Sequence, residues 1–478
     1  MFIFELSSQG KRGYQLPKLD VDEIDPREYL GEYYREGINF PEVSELEVVR
    51  HYTRLSQLNY GIDTTMVPLG SCTMKYNPRI NEELANTDLL KNIHPMSPCQ
   101  YTQGVLKMMY HLKELLKEIG GFGDVSLQPA AGAHGEFLGL LMIHAYHKDK
   151  GDNHKKIVLV PDTSHGTNPA SASLCGYEVI TVKSDKGGEL DWEDFQRKLT
   201  DQVACMMITN PNTLGIFERN IKRIAEALHE RDALLYMDGA NLNALVGMAK
   251  PGDWGVDVMH FNLHKTFSTP HGGGGPGGGA LGVSQRLQDY LPVPQVVFDG
   301  KKYRLDWDRP KSVGKILTFY GHSAIMLRAL LYILSYGSEL DKVAKYAVLN
   351  SNYLKHLLKD LFIDPYEETP RMHELVLSAQ NLLKYEINAM DIAKALLDKG
   401  FYAPTVYFPL TVKEALMIEP TETESLIYLE SFAKALRDIV EEAKKNPKAV
   451  KESPKKTPVR RIKEAQANRN PILRASWA

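Results

Sequence analysis

Cysteine is scarce in this 478-residue chain: Cys72, Cys99, Cys175 and Cys205 are its only four, and no two form a C-x-x-C pair. Zinc-knuckle and dithiol chemistry are therefore not encoded, and a reducing cytoplasm is the expected compartment. Long apolar runs are missing too, since the strongest, residues 137–143, is far below the ~20 residues needed to cross a bilayer. The amino terminus reaches Glu5, Lys11 and Arg12 before any apolar stretch forms, so neither a secretory leader nor a membrane span is expected. Nor is one sign of charge in excess. Lys plus Arg number 57 against 60 for Asp plus Glu, a net charge of -3, which provides no basic field to gather nucleic acid or anionic lipid. His144, His147 and His154 lack HExxH spacing, so no metal site is expected.

What is present is the composition of a large globular enzyme. Hydrophobic residues make up 43% and charged residues 24%, ordinary usage that excludes wholesale disorder and supports a sizeable core over about two to four domains. Pro17, Pro26 and Pro41 punctuate a polar start, predicting an N-terminal arm over 1–75 of the kind that clasps a second subunit. Short β-rich runs at 156–160, 177–182, 204–208, 233–237 and 256–261 then alternate with helical stretches, and Ile221, Ile224, Ala225 and Leu228 mark one crossover helix. That alternation predicts an α/β fold, a largely parallel sheet covered by helices, here over 76–325. Helical patterns at 325–335, 389–399 and 424–445, with a strand at 374–378, predict a smaller α+β domain over 326–446. A basic, proline-bearing extension over 447–478 follows, with Trp477 suggesting a docked tip.

Polar residues gather at the strand ends. The predicted strands run into Thr163-Ser164-His165, Thr209-Asn210-Pro211-Asn212, Asp238-Gly239-Ala240-Asn241 and Asn262-Leu263-His264-Lys265. A single polar residue after a strand is usually a cap or turn former. Four such clusters point instead to one crevice outside the carboxyl ends of parallel strands. A fifth turn, 128–135, joins a strand at 124–127 to a helix at 136–147 through small residues, which lets backbone N–H groups approach a phosphate at the helix N-terminus. Its spacing is not G-x-G-x-x-G, and no G-x-x-x-x-G-K-[ST] occurs, so dinucleotide and P-loop readings lack their fingerprints. In such a crevice Lys265 can form a Schiff base. Asp238, at the end of a different strand, can hold a pyridine nitrogen protonated, which makes the ring an electron sink.

At these residues the sequence resembles the fold-type I pyridoxal-phosphate (PLP) enzymes, and more closely the glycine decarboxylase (P-protein) family of the glycine cleavage system, in its second, lysine-bearing subunit. The match runs nearly end to end: Phe4-Glu5-Leu6-Ser7, Gly70-Ser71-Cys72-Thr73-Met74-Lys75, Pro129-Ala130-Ala131-Gly132-Ala133-His134-Gly135-Glu136, His165-Gly166-Thr167-Asn168-Pro169-Ala170, Thr209-Asn210-Pro211-Asn212-Thr213, Asp238-Gly239-Ala240-Asn241, His264-Lys265-Thr266-Phe267 and Asn470-Pro471-Ile472-Leu473-Arg474. The resemblance implies a mainly parallel seven-stranded sheet and PLP bound covalently to Lys265. It makes Asp238 the partner of the pyridine nitrogen and His165 the imidazole stacked on the ring, these three being catalytic. Ala131, Gly132 and Ala133 would offer backbone donors to the phosphate, with Thr209, Ala240, Asn241 and His264 as further cofactor contacts. Ser71, Cys72, Thr73 and Asn212 would approach the substrate, and Arg371 and His373 its carboxylate.

The implied reaction is the decarboxylation of glycine, with loss of carbon dioxide and transfer of the aminomethyl group to the lipoyl arm of the carrier H-protein. A homologous first subunit is the implied partner, in an α2β2 assembly. The glycine-rich stretch 272–279 would rearrange as substrate or the lipoyl arm enters. An aminotransferase or cysteine desulfurase of the same fold would share Lys265, Asp238 and His165, although a desulfurase needs a mobile catalytic cysteine and none sits in an obvious flexible loop. A supporting, non-catalytic subunit is the remaining reading, and Lys265 counts against it.

Overall fold

The computed structural model describes residues 2–473 apart from 38, 272–276, 319 and 321. Strands β1 (Asp124–Ser126), β2 (Ile157–Pro161), β3 (Glu178–Val182), β4 (Val203–Thr209), β5 (Leu234–Gly239), β6 (Val258–Asn262) and β7 (Gly279–Val283) form one sheet in the order β1-β7-β6-β5-β4-β2-β3. The β3-β2-β4-β5-β6 pairings are parallel, and β7 runs antiparallel to both its neighbours, β1 and β6. This is the expected α/β fold with a mainly parallel seven-stranded sheet. Every residue of β4, β5 and β6 is buried, as a sheet covered on both faces requires, and this explains why these strands read as mostly apolar runs. Strand β7 escaped the sequence reading because Gly279-Ala280-Leu281-Gly282-Val283 has no strand-like patterning. Its small residues have a packing cause: a Cβ on Gly282 would lie 2.4 Å from the Phe122 ring.

The crossover helix Ile221–His229 buries Ile221, Ile224, Ala225 and Leu228, the residues its spacing singles out. The helix Gly132–Lys150 starts earlier than the expected 136 and is pressed against β5 and β6. Cβ atoms at Gly135 and Gly139 would sit 2.7 Å from His260 and 2.5 Å from Tyr236, so glycine permits this close approach.

Strands β8 (Gln295–Phe298) and β9 (Tyr303–Asp306) form a separate hairpin pair. Strands β10 (Leu375–Ser378), β11 (Thr405–Val406) and β12 (Ala415–Ile418) make an antiparallel sheet in the order β10-β12-β11. The helices Asp341–Leu358, Ala389–Asp398 and Leu426–Lys445 pack on it around Leu354, Leu377, Ile392, Leu396 and Phe432. Leu429, Phe432, Leu436 and Val440 are buried on the last helix, the face its periodicity marks. In the N-terminal region the helix Glu45–Gln57 buries no side chain, whereas Met66 enters the core around β10 and β12. The chain from Met66 onward thus threads toward the crevice between the two sheets. The basic extension lies on the smaller sheet's helices: the Lys455 and Lys456 N–H groups donate to the Asp398 carboxylate, and Arg461 pairs with Asp391. Trp477 and residues 272–276 of the glycine-rich stretch lie outside the described residues. Among the described residues no helix is long and apolar enough to cross a membrane.

Candidate active site

The carboxyl ends of β4, β5 and β6 and the start of the helix Gly132–Lys150 enclose a pocket. It is lined by Lys265, Asp238, His165, Thr209, Ala240, Asn241, His264, Ser71 and the Ala131-Gly132-Ala133 turn, so most of the residues singled out from the sequence converge. At the helix start the first backbone N–H groups have no intrahelical acceptor and the dipole is positive, an anion cradle. Gly132 is needed there, because a Cβ would lie 2.6 Å from Asn262 Oδ1.

Asp238 is the penultimate residue of β5 and is 2% exposed. Its carboxylate accepts from Asn168 Nδ2 at 3.0 Å, the Ala240 N–H at 2.8 Å and His260 Nε2 at 3.1 Å, while His260 Nδ1 meets the Tyr236 hydroxyl at 2.8 Å. Burial alone would raise this carboxyl, but His260, Asn168 and the nearby Lys265 overcome it and hold the group well below the usual carboxylate range. The result is a fixed anion deep in the pocket. Glu136, also lining the pocket, accepts from Thr167 and Ser171, each at 2.8 Å, and so ties its helix to the segment carrying His165. The His165 side chain is exposed, with Nδ1 3.0 Å from Thr167 Oγ1 and its ring edge-on to Phe408.

Lys265 Nζ donates to the Ser71 carbonyl at 2.7 Å. His264 lies beside it with Nδ1 at the Gly278 backbone, and burial together with His271 and Lys265 lowers its imidazole to about 4, leaving it neutral. Two pocket atoms are buried with no partner: Thr209 Oγ1 and Asn241 Oδ1. In a buried site such orphaned polar atoms point to an occupant that satisfies them.

Four of the residues expected to contact substrate are engaged by other partners in this structure. Asn212 turns its side chain into its own loop, donating to the Gly188 carbonyl and accepting from the Leu214 and Ile216 N–H groups. Arg371 is 2% exposed, but its guanidinium faces Asp364 at 2.5 Å and the Tyr366 and Thr369 carbonyls, so it is not free to take a substrate carboxylate. His373 is fully buried 3.9 Å from both Glu374 and Glu419, and burial with Lys265 pushes it down to about 3, so it carries no positive charge. Thr73 is likewise buried, bonded through N–H and hydroxyl to Glu419. Cys72 does lie close to Lys265, and burial raises its thiol, which makes it a poor nucleophile.

Sequence reasoning missed the residues that hold these groups in place. Asn168 and His260 orient Asp238, yet one sits in a quoted motif with no role and the other inside an apolar strand. Lys75 is buried with Nζ at Glu422 (2.6 Å), Asn243, the Thr266 carbonyl and the Tyr332 hydroxyl. A fully satisfied ammonium of this kind has no signature beyond its place in the 70–75 motif.

A family model for the glycine cleavage system P-protein matches residues 29–297, and one for the glycine dehydrogenase C-terminal domain matches residues 343–462. The probable glycine dehydrogenase (decarboxylating) subunit 2 of Aquifex aeolicus (strain VF5) is 68% identical over 473 residues, 99% of this chain and 98% of that protein. The protein of the same name from Caldanaerobacter subterraneus subsp. tengcongensis is 52% identical over 478 residues, 99% and 98% of the two chains. Among solved structures, an inhibitor-bound glycine decarboxylase (P-protein) of the glycine cleavage system superposes with a TM-score of 0.73 at 20% identity, covering 88% of this chain and 100% of that one. A cysteine desulfurase from Thermococcus onnurineus NA1 gives 0.62 at 14% identity, covering 79% and 95%. At these identities the two structures speak to the fold alone.

Proposed function

The chain belongs to the glycine cleavage system P-protein family, and from that premise we propose how its pocket carries out the family's chemistry. The activity is that of a glycine dehydrogenase (decarboxylating), an oxidoreductase of the glycine cleavage system that decarboxylates glycine. The observation that carries our reading is the meeting of Lys265 and a buried, permanently ionised Asp238 in one pocket that also holds a helix N-terminus.

Pyridoxal phosphate fits these residues. The Ala131-Gly132-Ala133 turn would take the phosphate, Asp238 the pyridine nitrogen and Lys265 the covalent link, with the orphaned Thr209 hydroxyl and Asn241 carbonyl as further partners and His165 on the open side. When bound, the cofactor supplies an electron sink for the pair left behind when a carboxyl group departs. The chain's own contribution is positional and electrostatic. Asp238, fixed by His260 and Asn168, would hold the proton of the ring nitrogen. Lys265, drawn to the pocket by the Ser71 carbonyl, would carry the cofactor covalently. His264, held neutral, accepts or donates without adding charge beside the lysine.

The relatives are named as subunit 2, which implies a first subunit as partner. We further propose that this partner is homologous and assembles as α2β2, that the aminomethyl group passes to the lipoyl arm of H-protein, and that the enzyme works in the cytoplasm. Residues 1–75, 76–325, 326–446 and 447–478 are assigned as arm, cofactor-binding domain, smaller domain and extension. A desulfurase reading is disfavoured by Cys72, whose buried thiol is raised rather than activated. The test is the visible spectrum of the chain with pyridoxal phosphate, then borohydride reduction and peptide mapping. Label on Lys265, with exchange of labelled carbon dioxide into glycine lost in Lys265→Ala, is expected; label elsewhere, or exchange persisting in the variant, would refute it.

A further inference from the structure

The smaller sheet ends beside the pocket in two acids that the reaction above leaves without a role. Glu374 directly precedes β10 and Glu419 directly follows β12, and these strands pair with Leu375 opposite Ile418. The two glutamates therefore lie side by side at one end of the sheet, each at most 1% exposed. Burying adjacent carboxylates is unfavourable unless their oxygens are satisfied. Each has two donors here. Glu374 accepts the Ser71 N–H at 2.9 Å and Asn241 Nδ2 at 3.0 Å; Glu419 accepts the Thr73 N–H at 3.1 Å and Thr73 Oγ1 at 2.5 Å.

Those donors belong to a strained turn. Ser71 and Thr73 have φ of 60° and 44°, a left-handed conformation that non-glycine residues hold only when their surroundings enforce it. The same turn presents the Ser71 carbonyl to Lys265 Nζ at 2.7 Å, and Lys75 at its far end donates to the Thr266 carbonyl at 2.8 Å. We propose that Glu374 and Glu419 are positioning residues for Lys265: they clamp the Ser71–Thr73 backbone so that its carbonyl holds the amine at the pocket, and the smaller domain thereby sets the aim of the reactive lysine. The inference rests on Lys265 being that lysine. Burial, and for Glu374 the neighbouring Glu419, raises both acids above the usual carboxylate range, with Lys265 opposing the rise in each.

The two acids differ in what an amide can replace. In Glu419→Gln the new oxygen accepts the Thr73 N–H and the new nitrogen donates to the Thr73 hydroxyl. In Glu374→Gln the nitrogen must face the Ser71 N–H or Asn241 Nδ2, both donors. Asn241 cannot turn over without giving up its bond to the Pro211 carbonyl. Both variants and Glu419→Ala are compared with the wild type after circular dichroism establishes folding. Hydrogen–deuterium exchange is followed in a 69–76 peptide of the full chain without cofactor, with a peptide inside 139–150 as control. In enzyme assembled with the first subunit, kcat and KM for glycine are measured by carbon dioxide exchange.

Glu419→Ala, which removes both bonds from Thr73, and Glu374→Gln, which sets a donor against a donor, are expected to speed exchange at 69–76 and to lower kcat, each by about tenfold or more, with little change in KM. Glu419→Gln stays near the wild type in both readouts. If Glu374→Gln does not fold, Thr73→Ala, which removes one donor to Glu419, carries the same expectation at smaller amplitude. Unchanged exchange at 69–76 in every variant overturns the clamp, as does equal behaviour of the two glutamine variants or a rise in KM alone. A stoichiometric metal in the wild type that the variants lose overturns it too, since His373, Glu374 and Glu419 place ligand atoms within 4.8 Å of one another. A wild type inert toward glycine would sink the functional reading instead, and the exchange measurement would still decide on the clamp.

Discussion

Asp238→Asn separates the two tasks given to one carboxylate. The residue is 2% exposed and its carboxylate receives bonds from His260, Asn168 and the Ala240 N–H, so asparagine keeps the volume and part of the network while removing the charge. A hydrogen bond to a charged group contributes roughly 1.5–3 kcal/mol and a neutral one roughly 0.5–1.5 kcal/mol. The difference, about 1.4 kcal/mol, is about tenfold in cofactor affinity. Turnover should fall further, because a neutral amide cannot keep the ring nitrogen protonated while electrons drain into the ring. Removing a preorganised electrostatic partner of this kind lowers kcat by about a hundredfold to a thousandfold. Absorbance titration with pyridoxal phosphate gives the affinity, and carbon dioxide exchange at saturating cofactor gives kcat. A folded variant whose kcat stays within about threefold of the wild type would refute the electron-sink assignment.

Arg371→Met should destabilise the fold by about 2–3 kcal/mol in urea unfolding, because Asp364 loses its closest cation and keeps only Lys355 at 3.0 Å; a rise in KM for glycine with stability intact would return Arg371 to the substrate. The chain exposes 25000 Å², against about 18,000 Å² for a compact 53.9 kDa monomer, and exposed arm residues such as Leu16, Tyr29, Val49 and Tyr52 contribute to the surplus. Val49→Asp with Tyr52→Asp should therefore weaken pairing with the first subunit by about tenfold or more in sedimentation, leaving the isolated chain's Tm unchanged; unaltered pairing would place the interface elsewhere. Burial lowers His264 and His271 from 6.5 to about 4. The unfolded chain thus binds these protons first, so their contribution is complete above pH 6.5 and lost as pH falls toward 4. Urea midpoints at pH 7.5 and pH 5 should differ less in His271→Asn than in the wild type, and an equal difference would discard this account.

The strands and the pocket were legible because one rule served both. A strand buried on two faces must be largely apolar, so β4, β5 and β6 stand out from their surroundings, and the polar residues at their carboxyl ends, Thr209 and Asp238, with Lys265 just past β6, mark the crevice. Nothing comparable marks Glu374 or Glu419. A glutamate beside a short apolar run reads as a charge at an exposed strand end, and only the docking of residues 71–73, some 300 positions away in the chain, buries it. Arg371 is the converse case: its partner, Asp364, lies close in the chain but carries no pairing signal in the sequence, so the ion pair emerges only from the fold. His260 was hidden by its position inside β6, where neighbouring Met259 and Phe261 set the pattern.

The turned-away arginine has a mechanistic consequence. Among the described residues lining the pocket, Lys265 is the only lysine or arginine, and His264 is held neutral. An enzyme that must retain its substrate's carboxylate, such as an aminotransferase, gains from a bidentate guanidinium clamp. An enzyme that expels the carboxylate as carbon dioxide gains nothing from it, because an ion pair stabilising the ground state must be surrendered as the charge leaves that group. A neutral donor such as the Ser71 hydroxyl, which lines the pocket, can orient the leaving group without binding it strongly. By this criterion the chain's own pocket favours loss of the carboxyl group over its retention, on grounds independent of the lysine and aspartate it shares with the rest of its fold.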